Sequence, residues 1–265
     1  MDLRELTDRA AELNRATWDS FRRQRDEGLS ECRRDSAQDI LDGTGYLRRE
    51  YIELAGDVTG KRLLDMGCGE AAETLEWARL GAEVVGVDNS PKQIEAGLRN
   101  AEKLGLTCRL IQADLLKLPE ELLTGEFDIV YSAYVTAWIG DKDRWFAHVY
   151  RALRPGGVFL LGSGHPLGDY IHEEEEDPGF QDSYFSEGPI FIESDSKNDF
   201  NPAGAMMKNI EWCHTLGTIV TAVAQSGLRI THLLELPPSE GEEHRIKGLP
   251  VGYILRAVSG YGVLE

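Results

Sequence analysis

The sequence has 265 residues, of which 46 are acidic and 28 basic, so its net charge at pH 7 is −18. This charge disfavours nucleic-acid binding, because Lys and Arg contacts with phosphates supply most of that affinity. The densest basic segment, residues 22–25, is expected to be a solvated helix face. Hydrophobic residues make up 42% of the chain, enough for the core of one domain with insertions. We therefore expect no nucleic-acid partner.

The four cysteines, Cys32, Cys68, Cys108 and Cys213, are isolated in the sequence. Their spacing indicates reduced thiols rather than a disulfide framework or a zinc site. The first residues are too charged for a secretory signal, and no apolar run is long enough to span a membrane. We expect a cytoplasmic protein without a membrane partner, either a monomer or a homodimer.

Two helices are predicted at the N-terminus. Apolar residues recur every three or four positions over residues 3–21, and a second helix is expected over residues 46–54. Both helices precede the first strand, so they must pack outside the sheet or over its ligand-binding edge. Trp18 and Tyr46 are aromatic candidates for such a cover, although they could equally anchor the helices to the domain.

A glycine-rich turn follows the first predicted strand. The apolar residues 63–64 lead into Asp65, Gly67 and Gly69, and a helix then runs to Gly81. The second strand ends at Asp88, about 20 positions after the turn, where an acidic residue can meet a nucleoside ribose. This unit predicts a nucleoside site. Residues 67–72 also fit the dinucleotide pattern, so NAD remains an alternative at this point.

Further strand ends carry polar residues in chain order. Ser90 caps a helix that ends near Gly105, and a strand over residues 108–111 is followed by Asp114. A fourth strand over residues 127–131 leads into a loop rich in aromatic and small residues, 132–138. A helix over residues 141–153 and a strand over 158–161 then place His165 at the mouth of the sheet.

Residues 166–208 fit neither a helical nor a strand period. We interpret them as an insertion with a short hairpin that caps a substrate pocket, and the acidic run at 173–177 as a solvated loop. The regular pattern returns with a helix that begins near residue 216 and stops at Gly227. Strands over residues 228–236 and 251–258 complete the sheet, the last of them antiparallel to its neighbours.

Three segments in this order resemble the class I S-adenosylmethionine (SAM)-dependent methyltransferases: residues 63–69, 87–90 and 153–157. The resemblance covers residues 60–164. It implies an α/β fold, a Rossmann-like, mostly parallel sheet of seven strands with helices on both faces. Residues 1–55 would form an N-terminal helical cap, and residues 56–265 the SAM-binding domain with the insertion at 166–208.

The resemblance also implies a ligand and its contacts. The cofactor would be SAM and the product S-adenosylhomocysteine, with Asp88 on the ribose and Asp114 on the adenine amino group. The implied cofactor-binding residues are Asp65, Gly67, Cys68, Gly69, Asp88, Asn89, Ser90, Asp114, Leu115 and Ser132.

The chemistry of SAM then suggests the remaining roles. Its methyl group is already activated by the positive sulfur, so we expect no metal, and the protein contributes mainly proximity and alignment. A base is needed only for an acceptor that holds its proton, such as an alcohol or phenol, and His165 is the candidate. The candidate substrate-binding residues are Tyr46, Tyr134, Trp138, His165 and His214.

The expected function is therefore methyl transfer from SAM to an oxygen or nitrogen of a small-molecule acceptor. Two alternatives stay open at the level of sequence. One is a protein that binds SAM without transferring the methyl group. The other is an NAD(P)-dependent oxidoreductase, for which neither a Tyr-x-x-x-Lys pair nor a separate catalytic domain is evident.

Overall fold

The computed structural model describes residues 2–29, 35–172, 179–180, 183–198, 201–238 and 248–260. The helices are α1 (Leu3–Asp26), α2 (Ser36–Asp42), α3 (Arg49–Ala55), α4 (Ala72–Arg79), α5 (Pro91–Leu104), α6 (Lys142–Ala152) and α7 (Leu216–Gln225). The strands are β1 (Arg62–Met66), β2 (Glu83–Asp88), β3 (Arg109–Gln112), β4 (Phe127–Ala133), β5 (Leu153–Gly164), β6 (Ile171–His172), β7 (Gly179–Phe180), β8 (Gly188–Ser194), β9 (Met207–Cys213), β10 (Leu228–Leu236) and β11 (Gly252–Ser259). Short 3-10 turns lie at Glu120–Leu122, Thr136–Trp138 and Pro166–Tyr170.

Seven strands form the central sheet in the order β10-β11-β5-β4-β1-β2-β3. Strands β1 to β5 run parallel to one another, whereas β11 is antiparallel to both β10 and β5. The predicted seven-stranded, mostly parallel sheet with an antiparallel last strand is confirmed. The chain proceeds from β1 outward to β3 and then returns to place β4 on the other side of β1. Ligands of open α/β sheets bind at such a switch point, beyond the carboxyl ends of the strands.

Helices cover both faces of this sheet, because successive strand residues point to opposite sides. In β1, Leu63 packs in one cluster with Trp77 of α4, whereas Leu64 packs in another with Phe146 of α6. All four side chains are fully buried. Among the helices in the described part of the chain, none has the length and apolar character that crossing a bilayer requires.

The N-terminal helices differ from the prediction in number and limits. Helix α1 begins with a capping box between Asp2 and Glu5 and continues past residue 21 to Asp26. Helix α2 was not predicted, because seven residues give too few turns for a clear period. Helix α3 starts at residue 49 rather than 46, since the N–H groups of residues 46 and 47 both donate to Glu76 Oε2 instead.

Strand β5 begins at Leu153, earlier than the predicted residue 158. Leu153 pairs with Phe127 of β4 and Val158 with Ile129, so the additional residues form an irregularity on β5 at this register shift. Residues 154–157, which lie between the predicted helix and the predicted strand, are thus part of the strand. Their sequence is typical of a turn. Gly156 adopts a φ of 75°, which accounts for the turn-like sequence.

The insertion contains the predicted hairpin. Strands β8 and β9 pair antiparallel from Gly188↔Cys213 to Ser194↔Met207, so the hairpin extends beyond the predicted limit at residue 208. Strand β9 packs against α1, and Asn14 of that helix exchanges two hydrogen bonds with the backbone of Ile210, at 2.8 and 2.9 Å. The acidic run at 173–177 lies outside the described residues. The insertion is therefore attached to the N-terminal helix α1.

Candidate active site

The glycine-rich turn after β1 forms the floor of the site. The N–H groups of Gly67 and Cys68 both donate to the carbonyl of Val87, at 2.8 and 3.0 Å, which bends the chain sharply. Gly67 has a φ of 92°, and a Cβ atom there would lie 2.3 Å from Cγ2 of Val135. Only glycine meets both conditions. The turn then enters α4 through Ala71, whose φ of 61° is also left-handed.

Two carboxyl groups stand at neighbouring strand ends beside this turn. The two oxygens of Asp88 accept the N–H groups of Gly69 and Ser90, at 2.9 and 2.8 Å. Burial raises the pKa of Asp88, and these two hydrogen bonds act in the opposite direction. Asp114 follows β3 and accepts the N–H of Leu116 at 2.9 Å. Both carboxyl groups are thereby held in place before any ligand arrives.

A cavity of about 300 Å³ lies over the turn and these carboxyl groups. We call it the cofactor cavity. Eight predicted cofactor-binding residues line it: Gly67, Cys68, Gly69, Asp88, Asn89, Ser90, Asp114 and Leu115. Two predicted substrate-binding residues, Tyr134 and Trp138, line it as well. The strand ends that are separate in sequence thus meet around one space, as the parallel sheet requires.

Helix α1 forms the roof of the cofactor cavity. Asn89 Nδ2 donates to the carbonyl of Ala11 at 2.8 Å, and Ser90 Oγ donates to Asp19 Oδ1 at 2.6 Å. Trp18 lines the cavity and contacts Trp138 edge to face, with ring centroids 5.2 Å apart. The expected aromatic cover is therefore supplied by Trp18.

Sequence reasoning missed Glu73, a half-buried carboxyl group in the wall of the cofactor cavity. Burial raises the pKa of Glu73 to about 8, and the nearby carboxyl of Asp65 adds to the rise. Glu73 forms no ion pair with any described residue. Its position four residues after Gly69, one helical turn beyond the glycine loop, was the available signal.

Charged groups in the cavity wall are mostly acidic. Among the described residues that line it, Arg15 of α1 is the one Lys or Arg, against the carboxyl groups of Glu73, Asp88 and Asp114. The arrangement favours a ligand that carries positive charge. Among the described residues, no group of three His, Cys, Asp or Glu side chains is arranged to hold a metal ion.

Two predicted cofactor-binding side chains lie below the cavity rather than in its wall. Asp65 is buried and accepts the hydroxyl of Thr74 at 2.6 Å, and burial raises the pKa of Asp65 to about 7. Ser132 is also buried and donates to the carbonyl of Met66 at 2.5 Å. The two side chains connect β1 to α4 and to β4. They support the turn from beneath, which corrects the expectation that they reach the ligand.

Tyr46 does not reach the site. Its hydroxyl donates to Asp39 Oδ2 at 2.9 Å, and its N–H donates to Glu76 Oε2 at 2.8 Å. Those partners belong to α2 and α4. Tyr46 therefore anchors the N-terminal helices to the domain, the alternative that the sequence left open.

His165, the candidate base, lines neither the cofactor cavity nor the cavity that contains His214. Its Nε2 lies 3.1 Å from Glu235 Oε1, and its Nδ1 accepts the N–H of Leu167 at 3.2 Å. Because both ring nitrogens are engaged within the protein and the side chain is buried, His165 is not available to a substrate. The choice of His165 from the sequence is corrected on this ground.

His214 lies in a second cavity of about 200 Å³, which we call the acceptor cavity. Tyr134 and Trp212 line both cavities, so the two share a wall. The Nε2 of His214 lies 2.9 Å from the carbonyl of Ile139, and burial lowers the pKa of the imidazole. Thr136 Oγ1 donates to Ser163 Oγ at 2.8 Å in the same wall. The structure brings these groups together from the 3-10 turn after β4, the end of β5 and the segment after β9.

Comparison with known proteins gives consistent results. A family profile described as a methyltransferase domain matches residues 57–202. The chain is similar to a demethylmenaquinone methyltransferase of Thermus thermophilus, with 38% identity over 116 residues that cover 43% of this chain and 52% of that protein. It is also similar to the sterol 4-C-methyltransferase strm-1 of Caenorhabditis elegans, with 32% identity over 129 residues that cover 48% of this chain and 37% of that protein.

The chain thus spans between about a third and a half of the length of these two relatives. Among solved structures, it is similar to an S-adenosylmethionine dependent methyltransferase from Mesorhizobium loti, with a TM-score of 0.61 and 25% identity. That similarity covers 78% of this chain and 94% of the other.

Proposed function

The chain belongs to the methyltransferase-domain family, as a SAM-dependent enzyme of class I, and from this premise we propose that it methylates an oxygen or nitrogen of a small molecule. The observation that carries the proposal is the meeting of the glycine turn, Asp88 and Asp114 in one cavity. The carbon acceptor named for the sterol relative shows that the family also includes other acceptors.

The residues of the cofactor cavity fit SAM by their chemistry. Asp88 supplies carboxylate oxygens for the ribose hydroxyl groups, and its orientation is set by the turn itself. Asp114 supplies an acceptor for the adenine amino group. The excess of carboxyl groups over Arg15 suits a ligand with a cationic sulfur. When bound, SAM supplies a methyl group that is already activated for transfer.

The other contribution of the chain is to exclude water and align the acceptor. Trp18 and Trp138 close the cofactor cavity on the side of α1. We propose accordingly that residues 1–55 act as a helical cap and residues 56–265 as the methyltransferase domain with its insertion. We propose that the partner is a small molecule and that the chain is a monomer or homodimer. The free thiols of Cys68, Cys108 and Cys213 suit the reducing cytoplasm.

Calorimetric titration with SAM, S-adenosylhomocysteine and NAD tests the cofactor. We expect saturable binding of the first two and none of NAD. Asp88→Ala should weaken SAM binding by about 1.5–3 kcal/mol, the value of a hydrogen bond to a charged group. The exposed Asp42→Ala serves as the control and should leave the affinity unchanged.

Two results would contradict the proposal. Folded protein that binds neither SAM nor its product would remove the cofactor assignment. An Asp88→Ala variant with the affinity of the wild type would show that the ribose is held elsewhere. A product screen by mass spectrometry, with the gain of one methyl group as its readout, then tests transfer itself.

A further inference from the structure

The acceptor cavity has a composition that restricts what it can bind. Its lining contains no Lys, Arg, Asp or Glu among the described residues. Rings of Tyr134 and Trp212 and the aliphatic side chain of Ile219 make most of the wall apolar. A phosphorylated or carboxylated acceptor would leave its charge unpaired there, at a high desolvation cost. The cavity therefore suits a neutral and largely apolar molecule.

The polar groups in this wall are few and oriented. Because the pKa of His214 is lowered by burial, its ring is neutral at pH 7. The Nε2 faces a carbonyl, so it must carry the proton, which leaves Nδ1 with a lone pair. This Nδ1 makes no hydrogen bond to any residue in the described ranges. Its lone pair is therefore not used by those residues, on a side chain that lines the acceptor cavity.

The hydroxyl pair complements this nitrogen. Thr136 Oγ1 donates its proton to Ser163 Oγ, so the proton of Ser163 is free to be donated in turn. One wall thus offers a proton acceptor at His214 and a donor at Ser163. A neutral ligand hydroxyl group can use both, since it donates and accepts.

We propose that the acceptor cavity binds an apolar aromatic molecule through a phenolic hydroxyl group, with His214 Nδ1 as the base that takes its proton. The proposal rests on the proposed methyltransferase function and names its acceptor class. The phenolic O–H proton passes to Nδ1, the O–CH3 bond forms, and the C–S bond of the donor breaks with its electron pair remaining on sulfur. The imidazolium then releases its proton to solvent.

The surroundings of His214 allow it to accept this proton. The carbonyl of Ile139 holds Nε2–H in both protonation states, and Glu187 favours the imidazolium form. Lys142 and burial oppose it, so the proton is held only weakly and is released again. Glu187 is itself held by the N–H of Thr215 at 2.6 Å, so its carboxylate remains in place near the ring.

A binding experiment without SAM tests the site directly. At a pH below the pKa of 4-nitrophenol, so that its O–H is present, quenching of tryptophan fluorescence reports binding of this phenol and of 4-nitroanisole, which has no O–H. His214→Gln keeps an N–H for the carbonyl of Ile139 but removes the Nδ1 lone pair. We expect this variant to bind 4-nitrophenol about tenfold more weakly, the value of one hydrogen bond, and 4-nitroanisole unchanged. The control is His232→Gln, at an exposed histidine on β10.

Turnover provides the second readout. For SAM-bound enzyme and weakly acidic phenols, His214→Gln should lower kcat by about 10²–10⁴-fold, the usual contribution of a general base. The loss should shrink for phenols that are already ionised at the assay pH. SAM affinity should not change, since His214 does not line the cofactor cavity.

Three results would overturn the assignment. One is equal weakening of both probes, which would indicate a purely structural histidine. Another is an unchanged 4-nitrophenol affinity or an unchanged kcat in His214→Gln. The third is the absence of binding and of methylation for every phenol tested. If SAM still binds in these cases, the acceptor class fails while the proposed cofactor assignment stands.

Discussion

Glu73 is the carboxyl group in the cofactor cavity that differs most from an ordinary surface acid. The groups that face it come from four places: Asp65 on β1, Tyr131 on β4, Glu76 on α4 and Arg48 before α3. Burial has the largest effect on its pKa, which rises from 4.5 to about 8, so the group is mostly protonated in the ligand-free protein at pH 7. A cationic ligand beside it would favour the ionised form. Ligand binding and proton release should therefore be linked.

We expect SAM binding to release protons near pH 7, and Glu73→Gln to abolish most of that release. Calorimetry in buffers of different ionisation enthalpy measures it, with the exposed Glu83→Gln as the control. The same raised pKa stabilises the ligand-free fold below about pH 4.5, and this contribution is lost as the pH rises to about 8. Over that range the melting temperature of the wild type should fall more steeply than that of Glu73→Gln. Equal proton release by both proteins would place the titrating group elsewhere.

At the scale of elements, α1 connects the cofactor cavity to the insertion. Its Asn14 binds the backbone of Ile210 on β9, and its Asp19 accepts a hydrogen bond from Ser90 at the start of α5. The helix also reaches the glycine turn, because Arg22 and Arg25 both donate to Glu70, at 2.5 and 2.8 Å. If ligands enter on this side of the cavity, α1 has to loosen to admit them.

We expect hydrogen exchange of the α1 amides to slow when SAM binds. Asn14→Ala should destabilise the protein by about 1–3 kcal/mol, because the buried backbone groups of Ile210 lose their partners, and it should speed exchange in α1. The exposed Glu12→Ala on the same helix is the control. If SAM leaves exchange in α1 unchanged, the helix is a fixed part of the wall and ligands enter by another route.

For the whole molecule, charge is the property that most restricts partners. The net charge of −18 opposes any polyanion, and Arg22 and Arg25 of the densest basic segment both pair with Glu70. Arg22 was expected on a solvated face, yet it is buried and bound to Glu70 and Asp26. These tertiary contacts thereby weaken the best candidate for a phosphate-binding patch.

We expect no binding of RNA or DNA oligonucleotides at physiological salt, measured by fluorescence anisotropy. Binding at low salt should also be absent. Such binding is driven by the release of counterions from the nucleic acid, which requires a cluster of protein cations at the phosphates. Glu70→Gln removes the carboxylate that Arg22 and Arg25 contact. This variant therefore tests whether these ion pairs are what keeps the two arginines from binding phosphates. Tight and salt-sensitive binding by the wild type would contradict the prediction.

The sequence by itself determined those elements in which the short-range residue pattern and the final fold favour the same structure. The glycine turn, the cap of α5 at Ser90 and Pro91, and the seven strands follow from short-range patterns that the fold does not override. The strand ends at Asp88 and Asp114 could be placed together for the same reason, because parallel strands align their carboxyl ends. Asp88 and Asp114 both line the cofactor cavity, as that rule predicts.

Only the tertiary structure decided which side chains face the cavities. His165 and His214 both follow a strand, but one ring is enclosed by Glu235 and Leu167 and the other lines the acceptor cavity. Asp65 points below the turn to Thr74, whereas Glu73 one turn along α4 points into the cavity. These outcomes depend on contacts between residues far apart in the chain. Such contacts fix side-chain direction and leave no trace in local spacing.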